Sequence, residues 1–264
     1  MDNPTPAKKQ RRGIYLLPNL FTTAALFAGF YAMVAGMQGD FEAAAVAILI
    51  AMVLDGADGR IARMTNTQSA FGAEYDSLSD VISFGVAPAL VAFQWTLFSL
   101  GKLGWLAAFF YAAAAALRLA RFNTQLGTAD KRYFQGLPCP MAAAVTAAFI
   151  WFATDYGLDP AKYVAVAFVI TVSTGVLMVS NVRFHSFKEL DLRGKVPFVA
   201  ILVVVLIIVF IAVDPPLVLF GAALAYALSG PLMTLFYIRQ RRAARKLSSA
   251  GGGAKTDESD EDES

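Results

Sequence analysis

The sequence is nearly devoid of the side chains that staple small proteins or ligate soft metals. A single cysteine, Cys139, excludes an intrachain disulfide. A single histidine, His185, excludes a histidine-rich zinc site, so any metal held by this chain must rest mainly on oxygen. Charge is also scarce: 16% of residues are Asp, Glu, Lys or Arg, against 57% hydrophobic. A soluble domain with a large core is thereby excluded. About twenty apolar residues span a bilayer as a helix, and the chain supplies that length several times over.

What is present sorts into eight apolar segments, approximately 19–37, 42–63, 77–99, 104–122, 138–155, 161–181, 196–213 and 215–238. The expected fold is an all-α polytopic membrane protein of about eight transmembrane helices. Residues 1–18 form a basic, interfacial N-terminal segment, 19–238 the transmembrane domain, and 239–264 a basic and then acidic tail. The basic N-terminus before an apolar run resembles a signal peptide. The run continues through Gly36 with no small-x-small cleavage site, which predicts a retained first helix.

The tail "KTDESDEDES" holds six of the twenty acids, leaving 22 basic against 14 acidic groups over residues 1–256. That surplus would suit nucleic acid, but its distribution points to a membrane instead. Bases cluster before the first segment and after the second, fourth, sixth and eighth. The intervening loops "QGD", "SLGK", "DYGLDPAK" and "DPP" carry almost none. By the positive-inside rule both termini are cytoplasmic, as is the loop after the second segment. Small residues at Ala28, Ala32 and Gly36, and at Ala47 and Ala51, predict close helix packing. The Gly- and Ser-rich stretch before the acidic tail reads as a flexible extension.

Four aspartates interrupt this apolar pattern. Asp55 and Asp58 share a face near the end of the second segment; Asp76 and Asp80 lie one turn apart at the start of the third. A short polar connector would bring the pairs together at one membrane depth. Intramembrane acids are costly and mark functional sites. Four carboxylates so close repel unless divalent cations lie between them, and oxygen ligands of this kind suit Mg²⁺ or Mn²⁺. Gly59 and Ala62 clear bulk from one side of the helix, Arg63 offers a donor fork for phosphate, and Gly72 permits a tight helix entry. Together they suggest a diphosphate-bearing substrate. A divalent-cation transporter is the alternative from another class, but these acids sit near helix ends rather than at the midplane.

The string Asp55-x2-Asp58-Gly59-x2-Ala62-Arg63-x8-Gly72-x3-Asp76-x3-Asp80 resembles the complete signature of the CDP-alcohol phosphatidyltransferases. The resemblance implies a membrane enzyme with a six-helix catalytic core, a cytoplasm-facing cavity, a two-metal centre of Mg²⁺ or Mn²⁺ and a homodimeric state. It implies that Asp55, Asp58 and Asp76 bind metal, with Asp80 at the edge of the centre as general base. Gly59, Ala62, Arg63 and Gly72 would frame the CDP moiety. "LPNLFT" also resembles the family: Asn19 can cap the first helix, and with Thr22 would border the nucleotide.

The acceptor alcohol must be read elsewhere. Arg118 and Arg121 lie at the end of the fourth segment, followed by Asn123, Lys131 and Arg132. An arginine fork is the natural partner of an amino-acid carboxylate, although anchoring to anionic headgroups accounts equally for any one of these bases. The blocks "RLARFN…YFQGLP", "EYDSLSDVISFGVAP" and "SFKELDL" resemble the membrane-integral phosphatidylserine synthase branch. That resemblance implies transfer of a phosphatidyl group from CDP-diacylglycerol to L-serine in the inner, cytoplasmic membrane of a prokaryote, among membrane phospholipids. The alternative is the same chemistry on glycerol 3-phosphate, inositol phosphate or choline. No role is read into Cys139, His185, Lys188 or Glu189.

Overall fold

A computed structural model describes residues 16–65, 67–124, 133–185 and 198–252. Among the described residues each of the eight expected segments falls on a helix: α1 (Leu16–Met37), α2 (Phe41–Thr65), α3 (Ala70–Trp95), α4 (Lys102–Thr124), α5 (Cys139–Asp155), α6 (Val164–Val179), α7 (Phe198–Val213) and α8 (Pro215–Gly252). In hydrocarbon every backbone N–H and C=O needs an internal partner, and helices supply it within one segment. Four of the described helices, α1, α3, α4 and the first part of α8, are long and apolar enough to cross a membrane. The chain is an all-α polytopic membrane protein. Its strands among the described residues are one short antiparallel ribbon, β1 (Tyr133–Gln135) on β2 (Arg183–His185), with Phe134 opposite Phe184.

Short polar caps turn the chain at the end remote from the aspartates. Gly39, with φ of 81°, reverses it, and Asp40 accepts from Ala43 N to start α2. Asp214 does the same for α8 by accepting from Leu217 N, and it also accepts the Tyr156 hydroxyl proton, tying the α5 end to the α7–α8 turn.

Helix α5 is the axis of the bundle. Its alanines Ala142, Ala143, Ala144, Ala147, Ala148 and Ala153 are all buried, letting α2 and α8 close on it. Helix α1 lies against α2 and α3, and α4 against α6. Ala28, Ala32, Ala47 and Ala51 are buried, as the spacing of small residues predicts.

Helix α3 departs from expectation in two ways. It begins at Ala70 rather than near residue 77, because Ser69 caps it by accepting from Gly72 N at 3.0 Å. The connector after α2 is correspondingly shorter. Its middle, Val81–Val86, is a π-helix, starting one residue after Asp80. Such wide turns are frequent at functional sites. Here it sits where α1 and α4 press close: a Cβ on Gly85 would lie 3.1 Å from Ala115 Cβ. On the adjoining face Ser79 and Ser83 donate to the carbonyls of Thr22 and Ala25 at 3.3 and 3.2 Å.

Candidate active site

The end of α2 and the first turns of α3 bring three of the four aspartates together. One carboxylate oxygen from each of Asp55, Asp76 and Asp80 lies within 4.8 Å of the others. At that spacing each ionised pair repels by about 3–4 kcal/mol at an effective dielectric near 20. Three such pairs reach on the order of 10 kcal/mol, comparable with the net stability of a whole domain. Among the described residues no lysine or arginine is ion-paired with them; the ion pair found there is Lys162–Asp159, near the opposite end. Asp76 Oδ1 is buried without a hydrogen-bond partner. An oxygen-only donor set, uncompensated charge and an orphaned acceptor fit a hard divalent cation.

Asp58, one turn beyond Asp55, stands apart from the trio. It is 4% exposed, and its Oδ2 accepts from Thr22 Oγ1 at 2.7 Å. Thr22 is therefore part of the constellation, fixed by α1 against α2. Asn19 does not cap α1, which is already helical at Leu16. Its Oδ1 instead faces Gly72, 3.3 Å from where a Cβ would stand. Gly72 is thus confined between Asn19 and the capping Ser69 Oγ. Gly59 is different: a Cβ there would meet nothing nearer than Arg63 Nη1, at 3.6 Å. Arg63 is exposed and Ala62 half-buried on the same last turns of α2.

The two arginines of α4 have unlike surroundings. Arg121 Nη1 reaches Val179 O and Asn181 Oδ1 at 3.3 Å, while Nη2 reaches the carbonyls of Gln135, Met178 and Ser180 at 3.3–3.5 Å. It caps the carbonyl end of α6 from a neighbouring helix, where a cation also complements the helix dipole. Arg118 is 7% exposed; its Nη1 lies 3.6 Å from Cys139 Sγ, and its Nε is buried without a partner. Asn123 donates to Ser77 Oγ at 2.9 Å, tying the end of α4 to the aspartate helix. Lys131 and Arg132 lie outside the described residues, as do Lys188, Glu189 and the acidic tail.

A sequence profile of the CDP-alcohol phosphatidyltransferases matches residues 15–179, more than half of the chain and all four aspartates. The chain belongs to that family. The matched stretch runs from the start of α1 to the end of α6, six helical segments. Among the family's curated members, the CDP-diacylglycerol–serine O-phosphatidyltransferase of Helicobacter pylori is 35% identical over 215 residues, 81% of this chain and 90% of the relative. The protein of that name from Mycobacterium tuberculosis is 30% identical over 240 residues, 88% and 82% of the two chains. The archaetidylserine synthase of Methanothermobacter thermautotrophicus is 32% identical over 176 residues, 64% and 69%.

Some features of this CDP-alcohol phosphatidyltransferase carry no sequence signal that spacing alone would reveal. Tyr75 OH and Thr23 Oγ1 meet at 2.9 Å, linking α3 to α1 beside the site. The turn after the ribbon rests on Gly136, whose φ is 77° and whose Cβ would fall 2.3 Å from Met178 O. Both depend on which helices become neighbours. "GLPCP" does announce a Gly-Pro turn, but not that its cysteine lands on Arg118.

Proposed function

We propose that this chain is a phosphatidylserine synthase, moving the phosphatidyl group of CDP-diacylglycerol to the hydroxyl of L-serine and releasing CMP. The observation that carries this reading is the trio Asp55, Asp76 and Asp80, uncompensated and with an orphaned oxygen, on the same side of the bundle as a buried arginine with a partnerless N–H. The names of the relatives support serine as the acceptor.

Asp55, Asp58, Asp76 and Asp80 would hold two Mg²⁺ or Mn²⁺ ions, with Asp58 oriented by Thr22. When bound, such ions neutralise phosphoryl oxygens and steady the departing CMP. Gly59 and Ala62 leave room for the nucleotide diphosphate along α2, and Arg63 offers it a planar fork. Gly72, Asn19 and Thr22 border the same space. Arg118 receives the serine carboxylate, for which its buried guanidinium is suited. Arg121 holds the wall of the acceptor site and Asn123 lies at its mouth, while Lys131 and Arg132 would add positive charge for the serine carboxylate. Asp80 takes the proton of the serine hydroxyl as that oxygen bonds to the lipid-bearing phosphorus and the phosphorus–oxygen bond to CMP breaks. The acyl chains remain in lipid, so CDP-diacylglycerol enters sideways.

The catalytic end and both termini face the cytoplasm of a prokaryote, in its inner membrane, and the enzyme works as a homodimer. Incubating membranes that contain the protein with CDP-diacylglycerol and one alcohol at a time, then identifying the lipid formed, tests the reading. Serine should yield phosphatidylserine and CMP. Lipid formed from glycerol 3-phosphate, inositol phosphate or choline instead would replace serine as the acceptor, and cation flux in liposomes without lipid substrate would replace the enzyme by a transporter.

A further inference from the structure

We infer that the Cys139 thiol is a positioning residue for the acceptor site, holding Arg118 so that one edge of its guanidinium is offered to the incoming carboxylate. This rests on the reading of Arg118 as the carboxylate partner.

Cys139 opens α5 and is fully buried. Its sulfur lies 3.7 Å from Ala115 O and 3.6 Å from Arg118 Nη1. The directions are complementary: the S–H donates to the Ala115 carbonyl, and the sulfur lone pairs accept from the guanidinium. Ala115 and Arg118 are three residues apart on α4, so one thiol on α5 reads two successive positions of that helix. A guanidinium presents its strongest fork where Nε–H and one Nη–H run parallel, and Nη1 is the nitrogen turned away from that edge. Anchoring Nη1 therefore fixes the plane of the group, and Nε, on the opposite edge, is buried without a partner. A buried donor without a partner is expensive, and a bidentate carboxylate is the ligand that satisfies this edge.

The thiol contributes two properties that can be separated by substitution. Serine keeps a donor and an acceptor on the same short stem; alanine keeps neither. With purified full-length protein in lipid vesicles, Cys139→Ala should raise the KM for serine by about tenfold, leaving kcat and the KM for CDP-diacylglycerol within about twofold. Cys139→Ser should restore the serine KM to within about threefold of the parent. If alanine yields no folded protein, Cys139→Val, of similar bulk but without polar hydrogen, takes its place with the same expected outcome. A serine KM that does not move in Cys139→Ala overturns the proposal, as does a joint loss of kcat and lipid affinity that serine fails to rescue. Arg118→Lys is the parallel arm. If it also leaves the serine KM unchanged, the carboxylate role of Arg118 is what fails; if it raises that KM while Cys139→Ala does not, only the role of the thiol is wrong.

Discussion

At the seam between α1 and α3, a Cβ added to Gly29 would lie 2.6 Å from Ser83 Oγ and 2.7 Å from Ser83 Cα. On the aspartate-bearing turns of α2, a Cβ added to Gly59, one turn after Asp55, would meet nothing closer than 3.6 Å, and one added to Gly56 nothing within 4 Å. The first glycine is required by the protein's own packing. The other two have no such internal reason, although glycine inside a helix costs roughly 1 kcal/mol against alanine. One region is small because a neighbouring helix fills the space. The other is small beside a cluster of carboxylates and open, which is how a surface kept for a ligand differs from one kept for a helix.

Substitutions on the two sides should therefore fail in different ways. The largest effect is expected at the carboxylates: Asp80→Asn should reduce serine transfer by roughly 10²–10⁴, with thermal unfolding and lipid binding retained. Near-normal turnover in that variant would remove Asp80 from the chemistry. Next comes Gly29→Ala, where overpacking against backbone should lower stability by about 1–3 kcal/mol, measured by thermal unfolding in detergent. Activity per folded molecule should hold. Gly59→Ala should invert that pattern, with unfolding unchanged or slightly delayed while the KM for CDP-diacylglycerol rises about tenfold. Equal melting and equal kinetics in Gly59→Ala would erase the contrast. The smallest effect belongs to the turn joining the two regions: Ser69→Ala removes the α3 cap and should cost about 1 kcal/mol with little change in catalysis.

Two arginines sharpen the same point. Arg118 and Arg121 are three residues apart on one helix and indistinguishable by charge or position in the chain. The terminal nitrogens of Arg121 face five protein oxygens, while Nη1 of Arg118 meets the Cys139 sulfur and its Nε is buried without a partner. No spacing rule separates them, because the acceptors of Arg121 come from residues 135 and 178–181, which join α4 only after α6 and the ribbon have packed. The aspartates were legible for the opposite reason. Their i,i+3 and i,i+4 spacing, with a short connector, dictates proximity through local geometry alone. Even so, the membership of the trio was not: Asp80 lies within it, while Asp58 turns to Thr22 of α1.

The amino-acid order alone determined the apolar helical segments seen among the described residues, the meeting of α2 and α3 at their acidic ends, and the family signature. These follow from apolar run length and helical periodicity, which act over neighbouring residues. Tertiary structure alone decided where α3 begins its π-turn, which three carboxylates bring oxygens within 4.8 Å of one another, and which α4 arginine is engaged by carbonyls. Those outcomes depend on distances between groups far apart in the chain, and such distances exist only once the helices have packed.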